Sequence, residues 1–210
     1  MYIPRTFRML PDESLRFMKE HPFAILISTS STGEPTATHL PLIIAGEGRI
    51  VGHMARANPH WRQLDGARVL AVFTGPHAYI APQWYGSMPN VPTWNYLTVH
   101  VSGTCRVLPE GPQTLELLQG LSRFMEPDSP IPDALENPNH RDHAFYMAEV
   151  PAIVGFEIVV DRIEGKAKLG QNRPRADREG AASGLSDQGG EHATAIAEYM
   201  RKTVTDRPDD

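Results

Sequence analysis

The chain has 210 residues, which is enough for one domain whose core needs no disulfide or metal to hold it. Its 19 prolines and 17 glycines argue against a helical bundle, because so many helix breakers would interrupt long helices. A formal net charge of -5 disfavours a protein whose main task is non-specific nucleic-acid binding, and the single cysteine, Cys105, excludes an internal disulfide.

The first half of the chain predicts one helix followed by short strands. The helix begins at Pro11, with acidic residues in its first turn, and it ends before Pro22 because proline disfavours helix at the preceding residue. Pro41 lies inside the second strand and has no amide hydrogen for a β-ladder, so we expect it at an edge, at a bulge or facing something other than a strand. The strands are expected to form an antiparallel meander over residues 23–28, 36–45 and 49–54.

The second half alternates further strands with helices and loops. Asn58 and Pro59 suit the N-cap and first position of a short helix over residues 61–64, and Gly75-Pro76 is expected to separate two strands. We expect strands at 69–73, 78–80, 96–101 and 153–163, helices at 112–125, 143–149 and 193–202, loops at 82–92 and 126–141, a linker at 182–191 and a frayed end at 203–210. The pattern predicts a mainly β fold, a small antiparallel barrel of six or seven strands with peripheral helices.

A candidate anion site lies between residues 52 and 59, where a strand ends and a capped helix begins. Free amides at a helix N-terminus favour an anion, and Arg56 beside them could bind a phosphate through two hydrogen bonds. Small residues there let the backbone approach a ligand. The same spacing also suits an ordinary strand-to-helix turn with a solvated arginine.

Two further clusters have both a functional and a structural interpretation. Trp84, Tyr85, Trp94 and Tyr96 could stack on a flat ring, or they could form a satellite core beneath a long loop. Residues 165–173 are rich in donors that could bind a phosphate, a carbonyl-rich ring or nucleic acid, or they could form a solvated basic loop.

Several catalytic classes lack their motifs. The chain has no GxSxG elbow, no GxGxxG, no P-loop and no HExxH pattern, so acyl transfer, a Rossmann cofactor site and a zinc protease centre have no support. The histidines are expected to be structural or surface residues, and no metal site is expected. Cys105 lies in strand sequence and is interpreted as a core residue rather than a nucleophile.

The chain resembles the PaiB-like family, described as FMN-binding negative transcriptional regulators. The resemblance covers residues 1 to about 178, and GHMARANP and VPTWNY are its most specific motifs. It rests on these segments in order: MYIPRTF, PFAILIS, THLPLII, GHMARANPHW, FTGPHAYIAPQWY, VPTWNYLTVHVSG, AIVGFEI and EGKAKLGQNR. We therefore expect one split-barrel domain over residues 1–178, followed by a linker and C-terminal helix over 179–210.

The resemblance implies a split β-barrel that dimerises, with one FMN in each of two clefts between the subunits. It places Thr38, His39, Leu40 and Pro41 along the flavin ring. It assigns the ribityl chain and phosphate to His53, Met54, Ala55, Arg56 and Asn58. Trp94 and Asn95 would approach from the partner subunit, and polar contacts would come from Lys166, Gln171 and Asn172.

Two positions depart from the family pattern, and two functions remain compatible with the sequence. Gly170 stands where the family usually has serine, and Gln83 replaces another serine. The resemblance implies a flavin-dependent transcriptional regulator or redox sensor in the cytoplasm; the alternative is a flavin oxidoreductase related to pyridoxamine-phosphate oxidases, flavin reductases or haem-degrading proteins. Direct DNA binding has little support, because no helix-turn-helix pattern is present. No apolar run reaches membrane-spanning length, and the N-terminus has no signal-peptide core.

Overall fold

The computed structural model describes residues 1–46 and 48–205, with side chains described as far as Thr203. The first part of the described chain begins with a 3₁₀ turn (Arg5–Phe7), continues with one α-helix and four strands, and ends with a second 3₁₀ helix. The predicted first helix and first strand are confirmed. The elements are α1 (Pro11–Glu20), β1 (Phe23–Thr29), β2 (Pro35–Pro41), β3 (Ile43–Ile44), β4 (Arg49–Ala55) and a 3₁₀ helix (Pro59–Gln63).

The rest of the chain contributes three long strands and five α-helices. The predicted helix at residues 112–125 has the bounds found in the structure. The elements are β5 (Arg68–Ile80), a 3₁₀ turn (Pro82–Trp84), β6 (Thr93–Val107), α2 (Pro112–Met125), α3 (Ile131–Glu136), α4 (His143–Glu149), β7 (Ile153–Lys168), α5 (Arg175–Gln188) and α6 (Glu191–Thr205).

The strands form one seven-stranded sheet in the order β2-β1-β5-β6-β7-β4-β3. Every strand pair with a defined register is antiparallel. The two edge strands, β2 and β3, are separated in sequence by Leu42 alone, so the sheet must curl until its two edges adjoin. This confirms the predicted mainly β fold, a barrel with peripheral helices.

The chain divides into two compact units. The first unit contains residues 1–15, 74–99 and 164–210, and the second contains residues 16–73 and 100–163. The predicted boundary between residues 178 and 179 falls inside α5. The division into a barrel domain and a C-terminal segment therefore stays a prediction.

Both hairpins of the expected meander form, since β1 pairs with β2 and β3 pairs with β4, with Ile43 opposite Val51. The single strand expected over residues 36–45 is wrong, because it is divided at Leu42 into β2 and β3.

β4 also pairs with β7, which is about a hundred residues later, with Gly52 opposite Phe156 and His53 opposite Gly155. The pairing is tight at Gly52, because an added Cβ would lie 2.7 Å from the side chain of Leu42 and 3.1 Å from that of Phe156. A glycine here lets the barrel interior close around two large side chains.

The expected break at Gly75-Pro76 is also wrong, since β5 runs through it as one strand. Pairing between β1 and β5 ends at Phe73, opposite Ala24. Pro76 lies beyond the last residue of β5 that pairs with β1. Its missing amide hydrogen therefore leaves no β1 carbonyl without a partner.

Four further expectations about loops and element ends are corrected. The 126–141 loop contains α3, which buries Ala134 and Leu135. The 182–191 linker is helical through most of its length, because Ala182 and Leu185 are buried on α5. β7 extends to Lys168, beyond the expected end at residue 163. Residues 203–205 continue α6, and the rest of the expected frayed end, 206–210, lies outside the described residues.

Helix α2 covers part of the second unit's sheet, α3 packs on α2, and α4 packs on α3. Leu117 and Leu121 of α2 pack against Ile43 of β3 in a buried cluster. Gly155 on β7 faces the same helix, where an added Cβ would lie 3.4 Å from the side chain of Leu117, an ordinary contact distance. The amphipathic face of α2 is therefore the reason that a helix sits over this part of the sheet.

Candidate cofactor site

A cavity of about 390 Å³ lies beside β2 and β4 in the second unit. Two residues that the resemblance places at FMN line it from the sheet: Pro41, expected along the flavin ring, and His53, expected at the ribityl chain and phosphate. The remaining walls come largely from the helical segment and are mostly apolar: Leu118, Leu121, Ser122, Met125, Glu126, Ile131, Leu135, Tyr146, Glu149, Val150 and Ile153. A mostly apolar pocket of this size with a few polar groups is typical of sites that hold a flat organic ligand.

His53 is a neutral polar group within this apolar wall. Its Nδ1 is buried and has no hydrogen-bond partner among the described residues. Burial lowers the pKa of His53 because the charged ring would lose solvation. A buried ring nitrogen without a protein partner is a candidate to meet a ligand atom after a small rearrangement.

Thr38 and Asn58 come together at a buried hydrogen-bond network. The Asn58 Nδ2 group donates to Thr38 Oγ1 at 3.2 Å. His60 lies between them and Ser28, with its Nδ1 2.7 Å from Thr38 Oγ1 and its Nε2 2.9 Å from Ser28 Oγ. Gln63 Nε2 donates to the same serine oxygen at 2.9 Å. The sequence predicted the outer two residues of this network and missed its centre.

Arg56 is engaged by the protein itself. Its Nε donates to the Pro151 carbonyl at 2.6 Å, and its Nη2 donates to the Ile153 carbonyl at 3.0 Å. The same Nη2 lies 2.7 Å from Glu110. Its own carbonyl accepts a hydrogen bond from the indole of Trp61 at 2.9 Å. Arg56 therefore joins the end of β4 to the start of β7.

The helix expected to offer free amides is a 3₁₀ helix of five residues. Its cap is already satisfied, because Asn58 Oδ1 accepts from the His60 amide at 3.0 Å. The turn therefore supplies no N-terminal anion site of the kind that a full helix offers, although the predicted cap at Asn58 is confirmed.

The other predicted residues of β2 and β4 differ in exposure. His39 is exposed, and its ring centroid is 6.3 Å from that of Phe23. Leu40 and Met54 are buried, and Ala55 is exposed at the last position of β4. The alternation of β-strand side chains explains this pattern, because neighbouring residues point to opposite faces of the sheet.

The remaining predicted residues lie in the first unit. Trp94 is 52% exposed, and its ring lies 5.9 Å from His77 and 6.1 Å from Tyr79 between centroids. It also lines a second cavity, of about 380 Å³, together with Tyr96. Asn95 is buried instead, and its Nδ2 lies 3.3 Å from the Met200 sulfur.

The predicted basic loop is largely structural. Lys166 is buried on β7, donates to the Tyr2 carbonyl at 3.2 Å and lies 5.2 Å from the ring centroid of Tyr96. Gln171 closes a local turn by accepting from the Leu169 amide at 2.9 Å. Asn172 is exposed.

Gly170, where the family usually has serine, has a φ of 81°, a conformation that favours glycine. The departure from the family pattern therefore suits the backbone of this turn.

The roles of His60, Ser28 and Gln63 were not predicted from the sequence. A signal for His60 was present, because an Asn cap accepts from an amide in the first turn, and here that amide belongs to His60. Nothing in the local pattern connects Ser28 to this turn, since the contact depends on how β1 packs.

A comparison with family models matches residues 1–162 to FMN_bind_2, described as "Putative FMN-binding domain". The chain belongs to this family. FMN_bind_2 membership confirms the expected FMN cofactor and the PaiB-like resemblance. Over 95% of this chain and 96% of its relative, the sequence is 36% identical to the protease synthase and sporulation protein PAI 2 of Bacillus subtilis.

Solved structures share the fold of this FMN_bind_2 chain. The FAD and heme binding protein from Mycobacterium smegmatis has a TM-score of 0.58 at 17% identity, with 76% of this chain and 71% of that chain covered. The flavocytochrome Anf3 from Azotobacter vinelandii also has a TM-score of 0.58, at 13% identity, with 79% and 72% covered. These likenesses confirm the split-barrel fold. Within the described residues, no helix has the length and apolarity to cross a membrane.

Proposed function

We propose that the FMN ring binds in the cavity beside β2 and β4, where its walls suit a flat aromatic ligand. One observation carries this proposal: Pro41 and His53, which lie apart in sequence, line the same cavity of about 390 Å³. When bound, FMN supplies the ability to accept and return electrons, and the chain supplies position and polarity.

The polar arm of FMN is assigned to the edge where Thr38 and Asn58 meet. Both side chains present polar atoms there, and they already contact each other. Met54, Ala55 and Arg56 surround this end of β4. Arg56 contributes by holding the backbone of residues 151–153 in place rather than by presenting a free guanidinium.

We further propose that a homodimer completes the site. Trp94 and Tyr79 form an exposed aromatic surface with His77, which is typical of a surface covered by a partner. Trp94 would reach the partner's FMN from this surface, with Asn95 bracing its strand from the buried side. The proposed set is completed by His39 and Leu40 and by polar contacts from Lys166, Gln171 and Asn172.

The proposed role is that of a flavin-dependent transcriptional regulator or redox sensor in the cytoplasm. The relative from B. subtilis, named for protease synthesis and sporulation, supports a regulatory role. Direct DNA binding receives little support, because the basic segment makes internal contacts. Arg173 lies over the Tyr85 ring at 4.3 Å and near Asp177, and Arg178 is buried. We therefore expect no gel shift with the protein's own upstream DNA at moderate salt, and a retarded band would show direct binding.

A flavin oxidoreductase is the second candidate, and the polar groups of the same cavity favour it. His53, Tyr146, Glu126 and Glu149 line the cavity and could move protons beside a flavin. Oxidation of NADH or NADPH by the FMN-loaded protein, well above the rate for free FMN, would favour this candidate over a sensor.

Filling the cavity tests the placement of FMN. Met125 lines the cavity from α2 and is exposed, so Met125→Trp adds bulk to the pocket without disturbing the core. Overpacking costs about 1–3 kcal/mol, so we expect FMN affinity to fall by about 5–150-fold, measured by quenching of flavin fluorescence.

The matched control is Phe124→Trp, at the neighbouring position on α2, which does not line the cavity. We expect this variant to bind FMN as the wild type does. Wild-type affinity in Met125→Trp would place FMN elsewhere.

A further inference from the structure

The hydrogen-bond network around His60 fixes which atoms carry hydrogen. Ser28 and His60 are each 2% exposed, so their polar atoms have to find partners within the protein. The serine oxygen contacts Gln63 Nε2, which can only donate, and His60 Nε2. Among the described residues, His60 Nε2 is the only acceptor available to the serine hydrogen. The serine therefore donates to Nε2.

This direction determines the ring tautomer of His60. A neutral imidazole has one protonated nitrogen, and burial lowers the pKa of His60, which keeps the ring neutral at pH 7. Since Nε2 accepts from Ser28, the hydrogen is on Nδ1. Nδ1 is 2.7 Å from Thr38 Oγ1, and it donates to that oxygen.

Asn58 supplies a second donor to the same threonine. Its Oδ1 accepts from the His60 amide at 3.0 Å, which fixes the orientation of the side-chain amide. The other end of the amide, Nδ2, then donates to Thr38 Oγ1 at 3.2 Å. Both lone pairs of the threonine oxygen are thereby used.

The hydrogen of the Thr38 hydroxyl has no acceptor among the described residues. Thr38 is half-buried on the edge strand β2, so its hydroxyl can reach a ligand. We propose that Gln63, Ser28 and His60 act as positioning residues that make the Thr38 hydroxyl a hydrogen-bond donor to an acceptor atom of FMN. The identity of the ligand rests on the proposed function, whereas the direction of the network does not.

The tautomer can be measured on the full-length protein without FMN. Nitrogen-15 NMR distinguishes a protonated from an unprotonated ring nitrogen, and the His60→Gln variant assigns the signal by its loss. We expect a protonated Nδ1 and an unprotonated Nε2. The opposite tautomer would overturn the proposal, whatever the protein binds.

A second test reverses the direction of the hydrogen bonds by changing Gln63, a residue that is not proposed to contact the ligand. In Gln63→Glu the carboxylate accepts from Ser28, so His60 has to donate from Nε2 and accept from Thr38. We expect the tautomer to switch and FMN affinity to fall about tenfold, as for the loss of one hydrogen bond. A switched tautomer with unchanged affinity would show that FMN does not receive this hydrogen.

The donor itself is tested by Thr38→Val against Thr38→Ser, which keeps the hydroxyl. We expect Thr38→Val to lose about tenfold in FMN affinity and Thr38→Ser to remain within about twofold. Titration with riboflavin identifies the acceptor, since a loss with FMN alone indicates a phosphate oxygen and a loss with both indicates the ring or ribityl chain. Equal FMN affinity of Thr38→Val and wild type would overturn the proposal, whereas an unaffected Met125→Trp variant would overturn the proposed cavity instead.

Discussion

At the scale of single residues, Arg56 illustrates how the fold can use a side chain that also suits a phosphate. Its guanidinium joins two backbone carbonyls, those of Pro151 and Ile153, and Glu110 lies 2.7 Å away. All three acceptors come from segments that are distant in sequence, and the two carbonyls are 95 and 97 residues away. The residue type allowed both interpretations, and only the position of residues 151–153 decided between them.

Removing this arginine should weaken the fold. We expect Arg56→Ala to lower the free energy of unfolding by about 1–2 kcal/mol, because two hydrogen bonds to carbonyls are lost. Urea denaturation measures the change. The control is Arg62→Ala, since Arg62 is exposed and lies 5.7 Å from the Trp61 ring centroid, and we expect less than about 0.5 kcal/mol. Normal stability combined with weak FMN binding would instead assign Arg56 to the phosphate.

Cys105 is the second residue whose chemistry depends on its surroundings. It is fully buried on β6, and burial, followed by the nearby charge of Asp65, raises the pKa of its thiol to about 12. We expect no labelling by a thiol-reactive disulfide reagent in the folded protein near neutral pH, because the reactive thiolate is scarce. Labelling should become complete in denaturant, and rapid labelling without denaturant would contradict the buried position.

At the scale of elements, the small residues of α5 serve packing. An added Cβ at Gly184 would lie 2.4 Å from the Trp84 ring, and one at Gly180 would lie 2.2 Å from the Trp84 carbonyl. The small residues within 182–191 suggested a linker, because such residues are common in linkers. In the structure, those small residues make room for an indole on the helix surface.

Matched alanine substitutions separate packing from helix propensity. We expect Gly184→Ala to lower the free energy of unfolding by about 1–3 kcal/mol, since the methyl group would overlap Trp84. Gly120→Ala on α2 meets nothing within 4 Å and should raise it by about 0.5–1 kcal/mol. Thermal or urea unfolding measures both. A stabilising effect at both positions would mean that Trp84 does not pack on α5.

Local sequence signals predicted the bounds of those elements whose ends depend on neighbouring residues and not on distant contacts. Proline at the first helical position predicted the start of both α1 (Pro11) and α2 (Pro112), and an amphipathic pattern predicted the extent of α2. Local signals failed at β5 and at α5. In β5 a proline is tolerated because pairing with β1 ends at Phe73. In both cases the deciding neighbour lies far away in sequence.

At the scale of the whole molecule, three histidines that are partly or fully buried should make stability depend on pH. Burial lowers the pKa of His21, His53 and His60 below the usual 6.5, so the unfolded chain binds more protons than the folded one as the pH falls through that value. Stability should therefore decrease below about pH 6.5, by less than about 1.4 kcal/mol per pH unit for each ring, since partial solvation screens them. Denaturation at about pH 7.5 and about pH 5.5 measures the slope.

The control for this pH dependence is His60→Gln, which removes one titrating ring. We expect its slope to be shallower than that of the wild type. An equal slope would show that His60 does not contribute.

Cofactor binding should also stabilise the molecule as a whole. A ligand that binds only the folded state adds about 2.7 kcal/mol at a concentration of about 100 times its Kd. We expect the Tm to rise with added FMN in thermal scans, with adenosine monophosphate as a control that carries a phosphate but no flavin. A Tm unaffected by FMN would contradict binding to the folded state.

The sequence by itself determined the fold class, the positions of most elements and, through its resemblance to a family, the cofactor. Those features depend on neighbouring residues, on the alternation of apolar side chains or on motifs shared along the chain. Only the tertiary structure decided that β4 pairs with β7, that Pro41 and His53 line one cavity, and that His60 connects Ser28 to Thr38. Each of these depends on which distant segments pack together, and local patterns do not specify that choice.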